Sequence, residues 1–346
     1  MAEKNTRKPA AQERKEKKRT GPSPAELKEI LEWSRSHLQP YVQDEMSTYD
    51  HIKRILFAFI WPLRVIGCII PGFLWGVIMR LHVALMPSGL YRFQKVYMMW
   101  LESWLALISI YFLGLHVHVH GKFAPRMKDG RWIPIVANHQ SFFDIYSLVT
   151  QRKISYVARA DTVDFPIFGV GSVNSDCVFV DRQAAASRDK ARAQIKKRIE
   201  DPEAISPLVV FPEGTTTNGK YVVPFKTSIF ETGSPVQPVI IEYAHNHRRI
   251  GWCQVSLLEH VRIVGSQFHT RVDVHVLPVY TPTQEELDNP GLYAENVRQY
   301  MAKQGKLQLS EVKTRNSFNL VKALAGKISL DELKRLYDES HAVNLN

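Results

Sequence analysis

Trp132-Ile-Pro-Ile-Val-Ala-Asn-His139-Gln-Ser-Phe-Phe-Asp144 is the stretch from which the chain is read. Trp132–Ala137 is a short apolar run, as expected of a buried strand, and Ser141–Thr150 reads as a helix. Between them sits an imidazole, the usual general base near neutral pH. An aspartate that accepts a hydrogen bond from Nδ1 fixes the tautomer and frees Nε2 to take a proton. On a continuous helix, side chains five residues apart diverge by roughly 140°. The pair therefore requires His139 in the loop, Ser141 near the N-cap and Asp144 in the first turn. Taken alone, the spacing is a weak signal that more often describes a surface histidine beside a helix-starting aspartate.

Strand-like and helix-like segments alternate outward from this stretch. Ile154–Ala158, Cys177–Val180, Leu208–Phe211, Val236–Tyr243 and Val272–Tyr280 read as strands. Ser187–Glu200 is a basic helix, and Phe225–Glu231 looks helical. This alternation predicts an α/β fold, a mostly parallel layered sheet flanked by helices, over residues 116–282. Residues 283–346 read as a helical C-terminal extension, because Thr283–Glu286 and Ser329–Glu332 have capping-box spacing.

Upstream the character changes. Residues 1–21 form a charged tail, read either as a solubilising arm or as a contact for anionic headgroups. Residues 22–115 hold an amphipathic helix opened by Ser23-Pro24-Ala25-Glu26 and two apolar segments. Ile55–Met79 is long enough to cross a hydrocarbon core, with Arg64 its only charge. Pro62, Gly67, Pro71 and Gly72 interrupt it and leave room for a re-entrant form. The second segment, Tyr97–Leu115, contains Glu102 alone among charged residues. Basic residues flank the pair on both outer sides: Lys53 and Arg54 before, Lys122, Arg126, Lys128 and Arg131 after. That symmetry predicts a membrane-associated helical hairpin with both flanks cytosolic.

Three further segments carry chemistry. Phe211-Pro212-Glu213-Gly214-Thr215-Thr216 follows an apolar strand, where a glycine permits a sharp turn and close ligand approach. Val178-Phe-Val-Asp-Arg182 ends a strand in a guanidinium suited to phosphate, or to a surface ion pair. In Val236-Gln-Pro-Val239 the proline suggests an edge, bulge or bend. Together with the His139 segment, and in this order, these resemble the four motif blocks of the glycerolipid and lysophospholipid acyltransferase family. The separation of His139 and Glu213, 74 residues, is also similar. Phe211–Tyr243, with Lys226, looks most like the lysophosphatidylcholine acyltransferase branch.

The resemblance covers roughly residues 133–282 and implies roles. His139 is the base and Asp144 its orienter. Arg182, Glu213, Gly214 and Thr215 shape the site for the acceptor's phosphate and glycerol. Acyl-CoA is the co-substrate, a lysophospholipid the acceptor, and membrane lipid the setting, with no cofactor and no metal. The implied location is the endoplasmic reticulum or a related membrane, with the catalytic domain cytosolic. Acylation of lysophosphatidic acid or glycerol-3-phosphate, and an inactive membrane-tethered scaffold, are the alternatives. The basic helix, with Arg188, Arg192, Lys196 and Lys197, either holds the phosphates of coenzyme A or shows water a charged face.

Composition fits this reading. The 346 residues carry a net charge of +11 and 45% hydrophobic residues, a balance that favours polyanionic partners. Without an RRM, KH or zinc signature, nucleic acid is not expected. Three separated cysteines form no disulfide framework, and neither Cys177 nor Cys253 sits in a Cys-His setting. His116, His118 and His120 share one face of a strand, read as its solvated face before a metal site. Gly169-Val-Gly171-Ser172 lacks the third glycine of a dinucleotide fingerprint, no G-x-S-x-G elbow occurs, and no EF-hand loop is present.

Overall fold

A computed structural model describes residues 21–85, 91–164, 168–180, 185–244 and 249–342. The chain divides into two compact units, residues 1–39 with 312–346, and residues 40–311. The expected boundary at 282 thus falls inside a unit, because the helices just after it pack on the sheet.

In the smaller unit, α1 (Pro24–His37) starts as expected, with Ser23 and Glu26 closing a reciprocal capping box. It packs with two C-terminal helices that follow all others in the chain. Trp33, His37, Tyr337 and His341 form its aromatic cluster.

The larger unit begins with α2 (Thr48–Leu56), α3 (Ile60–Leu85) and α4 (Tyr91–Phe112). Pro71 and the glycines do not break α3, which runs 26 residues. At Gly67 a Cβ would lie 2.3 Å from the Phe112 ring, so this glycine serves close approach of α4. The Ser109 hydroxyl donates to the Cys68 carbonyl at 3.0 Å and ties the two helices together. At about 1.5 Å per residue, α3 is long enough to cross a bilayer, and it alone among the described helices is both long and apolar enough. The other helix, α4, is two-faced. It buries Met98, Met99 and Ile110 and pairs Lys95 with Asp176, while Trp100, Trp104 and Tyr111 stay exposed.

The sheet has seven strands: β1 (Leu115–His120), β2 (Ile135–Ala137), β3 (Ser155–Arg159), β4 (Val178–Val180), β5 (Leu208–Val210), β7 (Gln237–Tyr243) and β8 (Thr270–Val276). Their order is β1-β8-β7-β2-β5-β3-β4. Every pair is parallel except β7 with β8. A small parallel ladder joins β6 (Tyr221–Val222) to β9 (Gln308–Leu309). The helices on the sheet are α5 (Asp144–Val149), α6 (Phe168–Asn174), α7 (Ala185–Glu200), α8 (Leu257–Gly265), α9 (Gln284–Asp288) and α10 (Pro290–Gln304), with α11 (Thr314–Leu324) and α12 (Leu330–Ala342) completing the smaller unit. One core layer, around Ile135, Val209, Ile241 and Val274, lies toward α4, α5 and α8. The other, around Val136, Val210, Ile240 and Tyr293, lies toward α7 and α10. Alternate residues of each central strand feed opposite layers, which is why these strands are apolar throughout.

One expectation is refined and one corrected. The helical stretch expected at Phe225–Glu231 is a 3-10 helix, and it occupies Thr227–Thr232. Pro238 does not mark an edge, since β7 pairs on both sides. Its missing N–H faces the end of the β8 ladder, where the Gln237 side-chain amide donates to the Leu277 carbonyl instead, at 3.2 Å.

Candidate active site

Three adjacent parallel strands, β7, β2 and β5, discharge their loops at one end of the sheet, where α/β proteins bind ligands. β2 is central and ends in Asn138-His139. Asn138 clamps the turn by donating to the Ile241 carbonyl at 3.0 Å and accepting the Ile241 N–H at 2.8 Å. The helix α5 starts at Asp144, so His139 lies in the loop and Asp144 in the first turn. The two therefore meet: His139 Nδ1 is 2.8 Å from Asp144 Oδ2.

Asp144 is fully buried. The same Oδ2 accepts the N–H groups of Gln140 (2.7 Å) and Ser141 (2.9 Å), and Oδ1 accepts the Tyr243 hydroxyl at 2.8 Å. A carboxylate held by so many donors stays an acceptor, so the proton of the shared bond belongs to His139 Nδ1. Nε2 is left as the basic nitrogen. The imidazole stacks on Phe211, centroids 4.2 Å apart, which fixes its plane. Burial raises the Tyr243 hydroxyl well above its ordinary range, with the Asp144 charge adding to it, so Tyr243 remains a donor.

Glu213 arrives from the loop after β5. The register of β2 beside β5, Ile135 opposite Val209, brings its loop next to that of His139. Its carboxylate is buried and accepts the His139 N–H at 2.7 Å and the Val223 N–H at 3.4 Å. Burial pushes its pKa up to about 8 against those two donors. Glu213 holds the backbone of the His139 loop, and it is not among the residues lining the cavity beside it. The Thr217 N–H adds a second tie, to the His139 carbonyl at 2.8 Å.

Gly214 does line the cavity and has φ +70°, a conformation that favours glycine. A Cβ there would lie 2.3 Å from Lys226 Nζ, so Gly214 also leaves room for that ammonium. Thr215 is half-buried and does not line the cavity. Arg182 lies outside the described residues. The cavity, about 510 Å³, runs from His139 past Phe211 and Lys226 to Arg192 and Ile195 of α7. Apolar walls from Ile145, Val157, Val210 and Phe225 face two cations at its rim. That combination suits an amphiphile bearing phosphate.

Sequence reasoning missed two residues here, Tyr243 and His260. His260, in the middle of α8, is fully buried, and its Nε2 lies 2.9 Å from the Ser141 hydroxyl. The same Ser141 Oγ accepts the Phe143 N–H at 3.1 Å. Phe143 and Trp252 both stack with the ring, centroids 5.8 and 5.6 Å away. Burial lowers the His260 pKa to about 4, and the nearby His139 adds to it against the Asp144 charge, so the ring is neutral near pH 7. Nothing local pairs His260 with Ser141, 119 residues earlier. The other expected groups lie elsewhere. His116, His118 and His120 point to the solvated face of β1, where His120 Nε2 meets Asp273 at 2.6 Å. Burial holds the Cys177 and Cys253 thiols far above their ordinary range, unfit as nucleophiles.

The sequence and the fold are similar to those of known proteins. Residues 116–242 match the Acyltransferase family model. Within that class its relatives act on lysophospholipids by name. It is 38% identical over 182 residues to a lysophospholipid acyltransferase of Arabidopsis thaliana, covering 51% of this chain and 46% of that protein. It is 39% identical over 169 residues to lysophosphatidylcholine acyltransferase 1 of Homo sapiens, covering 48% and 32%. A Drosophila melanogaster lysophosphatidylcholine acyltransferase aligns over 281 residues at 28% identity, 78% of this chain and 52% of that one. The chain thus spans about half the length of these relatives, or less. The crystal structure of the 1-acyl-sn-glycerophosphate acyltransferase PlsC from Thermotoga maritima superposes with a TM-score of 0.52. It covers 75% of this chain and all of that one at 20% identity, a likeness of fold.

Proposed function

We propose that this protein transfers an acyl group from acyl-CoA to the free hydroxyl of a lysophospholipid, with His139 as general base. The observation that carries the reading is the His139–Asp144 pair at the mouth of a largely apolar cavity rimmed by Lys226 and Arg192. His139 Nε2 takes the hydroxyl proton as the oxygen attacks the thioester carbonyl. The tetrahedral intermediate collapses, the carbon–sulfur bond breaks, and coenzyme A leaves as its thiol with the proton returned by His139. A thioester is already activated, so no acyl-enzyme is needed. Lys226 and Arg182 take the acceptor's phosphate. Arg192, Lys196 and Lys197 of α7 take phosphates of coenzyme A. Each of the three is at least part-exposed, as a contact with a soluble donor requires.

The acceptor rests in a bilayer, and so does the enzyme. In this reading α3 and α4 form the membrane hairpin, in the endoplasmic reticulum or a related membrane. The exposed flank of α3, with Leu63, Ile66, Phe73 and Leu81, supports it, as do the exposed tryptophans of α4. Purified protein offered a panel of lysolipids and acyl-CoAs tests the chemistry. Thiol release that depends on a lysophospholipid is expected. Release that is independent of lysolipid, or none with any pair, would remove the proposal.

A further inference from the structure

The short helix α2 is amphipathic in the wrong sense for a soluble domain. Its charged residues face inward, while Thr48 and His51 are exposed. Asp50 and Lys53 are buried, Lys53 Nζ donating to Gln267 Oε1 at 2.7 Å and lying 3.4 Å from Asp50. Its apolar side, Ile52, Ile55 and Leu56, faces out, and Phe59 beyond it is 86% exposed. Ile52, Ile55 and Leu56 fall on one helical stripe, and Phe59 follows in the turn after the helix. Water on that side would leave the stripe uncovered while charges were taken inside, the opposite of what burial energetics favour.

The same surface continues onto a segment some 200 residues away. Arg54 Nη2 pairs with Glu259 of α8 at 2.7 Å. Arg64 donates to the carbonyls of Gly265, Gln267 and Phe268, closing the end of α8 against the start of α3. The Phe57 ring meets Phe268 edge-on at 4.6 Å, and Arg262 lies over the Trp61 ring. Within this riveted surface Leu258 and Phe268 are each 64% exposed. Arg262, one turn after Leu258, sits beside them with its guanidinium over the Trp61 indole, an arrangement suited to the level of lipid headgroups.

We propose that α2 and the two ends of α8 form one in-plane platform that seats the acyltransferase domain in the headgroup–acyl boundary of a leaflet, with Ile52, Ile55, Leu56, Phe59, Leu258 and Phe268 immersed. This rests on the membrane reading of α3 and goes beyond it by assigning the acyltransferase domain its own lipid contact. The occupant is a bilayer because the face is continuous with the exposed flank of α3 and because arginine and indole line its border. Through His260, α8 also touches the catalytic loop, so the platform fixes the depth at which His139 works.

Nitroxide labels on Leu258→Cys, Phe268→Cys, Phe73→Cys and Asp288→Cys test this in the full chain. The protein is reconstituted in phosphatidylcholine–phosphatidylserine vesicles, and label-free parent cysteines supply the background. Collision rates are measured with oxygen and with a water-soluble nickel chelate. Labels at 258 and 268 should meet nickel at least about fivefold less than the label at 288, as expected below the phosphates. Labels at 258 and 268 as open to nickel as that at 288, with 73 in lipid, would overturn the platform, leave the hairpin standing and turn the face toward a protein partner. Nickel access at 73 as well would overturn both.

Discussion

Asp144 shows how much of the site rests on one carboxylate. It accepts from His139, two backbone N–H groups and Tyr243. Asp144→Asn keeps the shape but offers an N–H where an acceptor is needed, which turns the imidazole to the wrong tautomer. Turnover should fall by about two to four orders of magnitude with the fold retained, as steady-state rates and circular dichroism will show. Tyr243→Phe removes one donor from a buried charge. It should cost about 1–3 kcal/mol in urea unfolding and lower turnover far less than Asp144→Asn. Arg182→Ala should raise the KM for lysolipid more than that for acyl-CoA, and the reverse split would assign this arginine to the donor. His139 and Asp144 were legible because chemistry and spacing coincide within six residues. Tyr243 was not, because its hydroxyl reaches a partner 99 residues away and its own strand reads only as apolar.

At the level of elements, three loops meet because β5, β2 and β7 are parallel neighbours. Strand–helix alternation predicted the parallel sheet, and the family resemblance implied that His139, Asp144, Glu213 and Gly214 share one site. The role of Glu213 was not readable. A carboxylate in a glycine loop looks like a ligand group, and only register shows that it accepts the His139 N–H. The helix α8 was missed altogether, lying between two clear strands with His and Arg on its faces. It makes a measurable contribution through His260, whose folded pKa of about 4 lies below the ordinary 6.5. A depressed histidine stabilises the fold fully above its unfolded pKa, and that stability is lost as pH falls from about 6.5 through about 4. The shift corresponds to on the order of 3 kcal/mol. Unfolding of His260→Phe followed between pH 4 and 7 should lack this part of the acid slope. An unchanged slope would mean that His260 titrates freely.

For the whole molecule, the question is where the sheet stands relative to the bilayer. The sequence made the apolar runs plain, but its breakers misled. Gly67 makes room for Phe112, and Pro71 is carried inside a continuous helix. A hairpin with cytosolic flanks predicts that a glycosylation acceptor placed near Lys128 remains unmodified in sealed microsomes. Modification there would put the acyltransferase domain in the lumen.

The central claim is that His139 takes the proton of a lysolipid hydroxyl. The direct measurement is free-thiol release from acyl-CoA by purified wild-type and His139→Ala proteins, each shown to be folded, with and without lysophospholipid. Lysolipid-dependent release by the wild type and a loss of about 10²- to 10⁴-fold in the variant are expected. Near-normal release by a folded His139→Ala protein would contradict it.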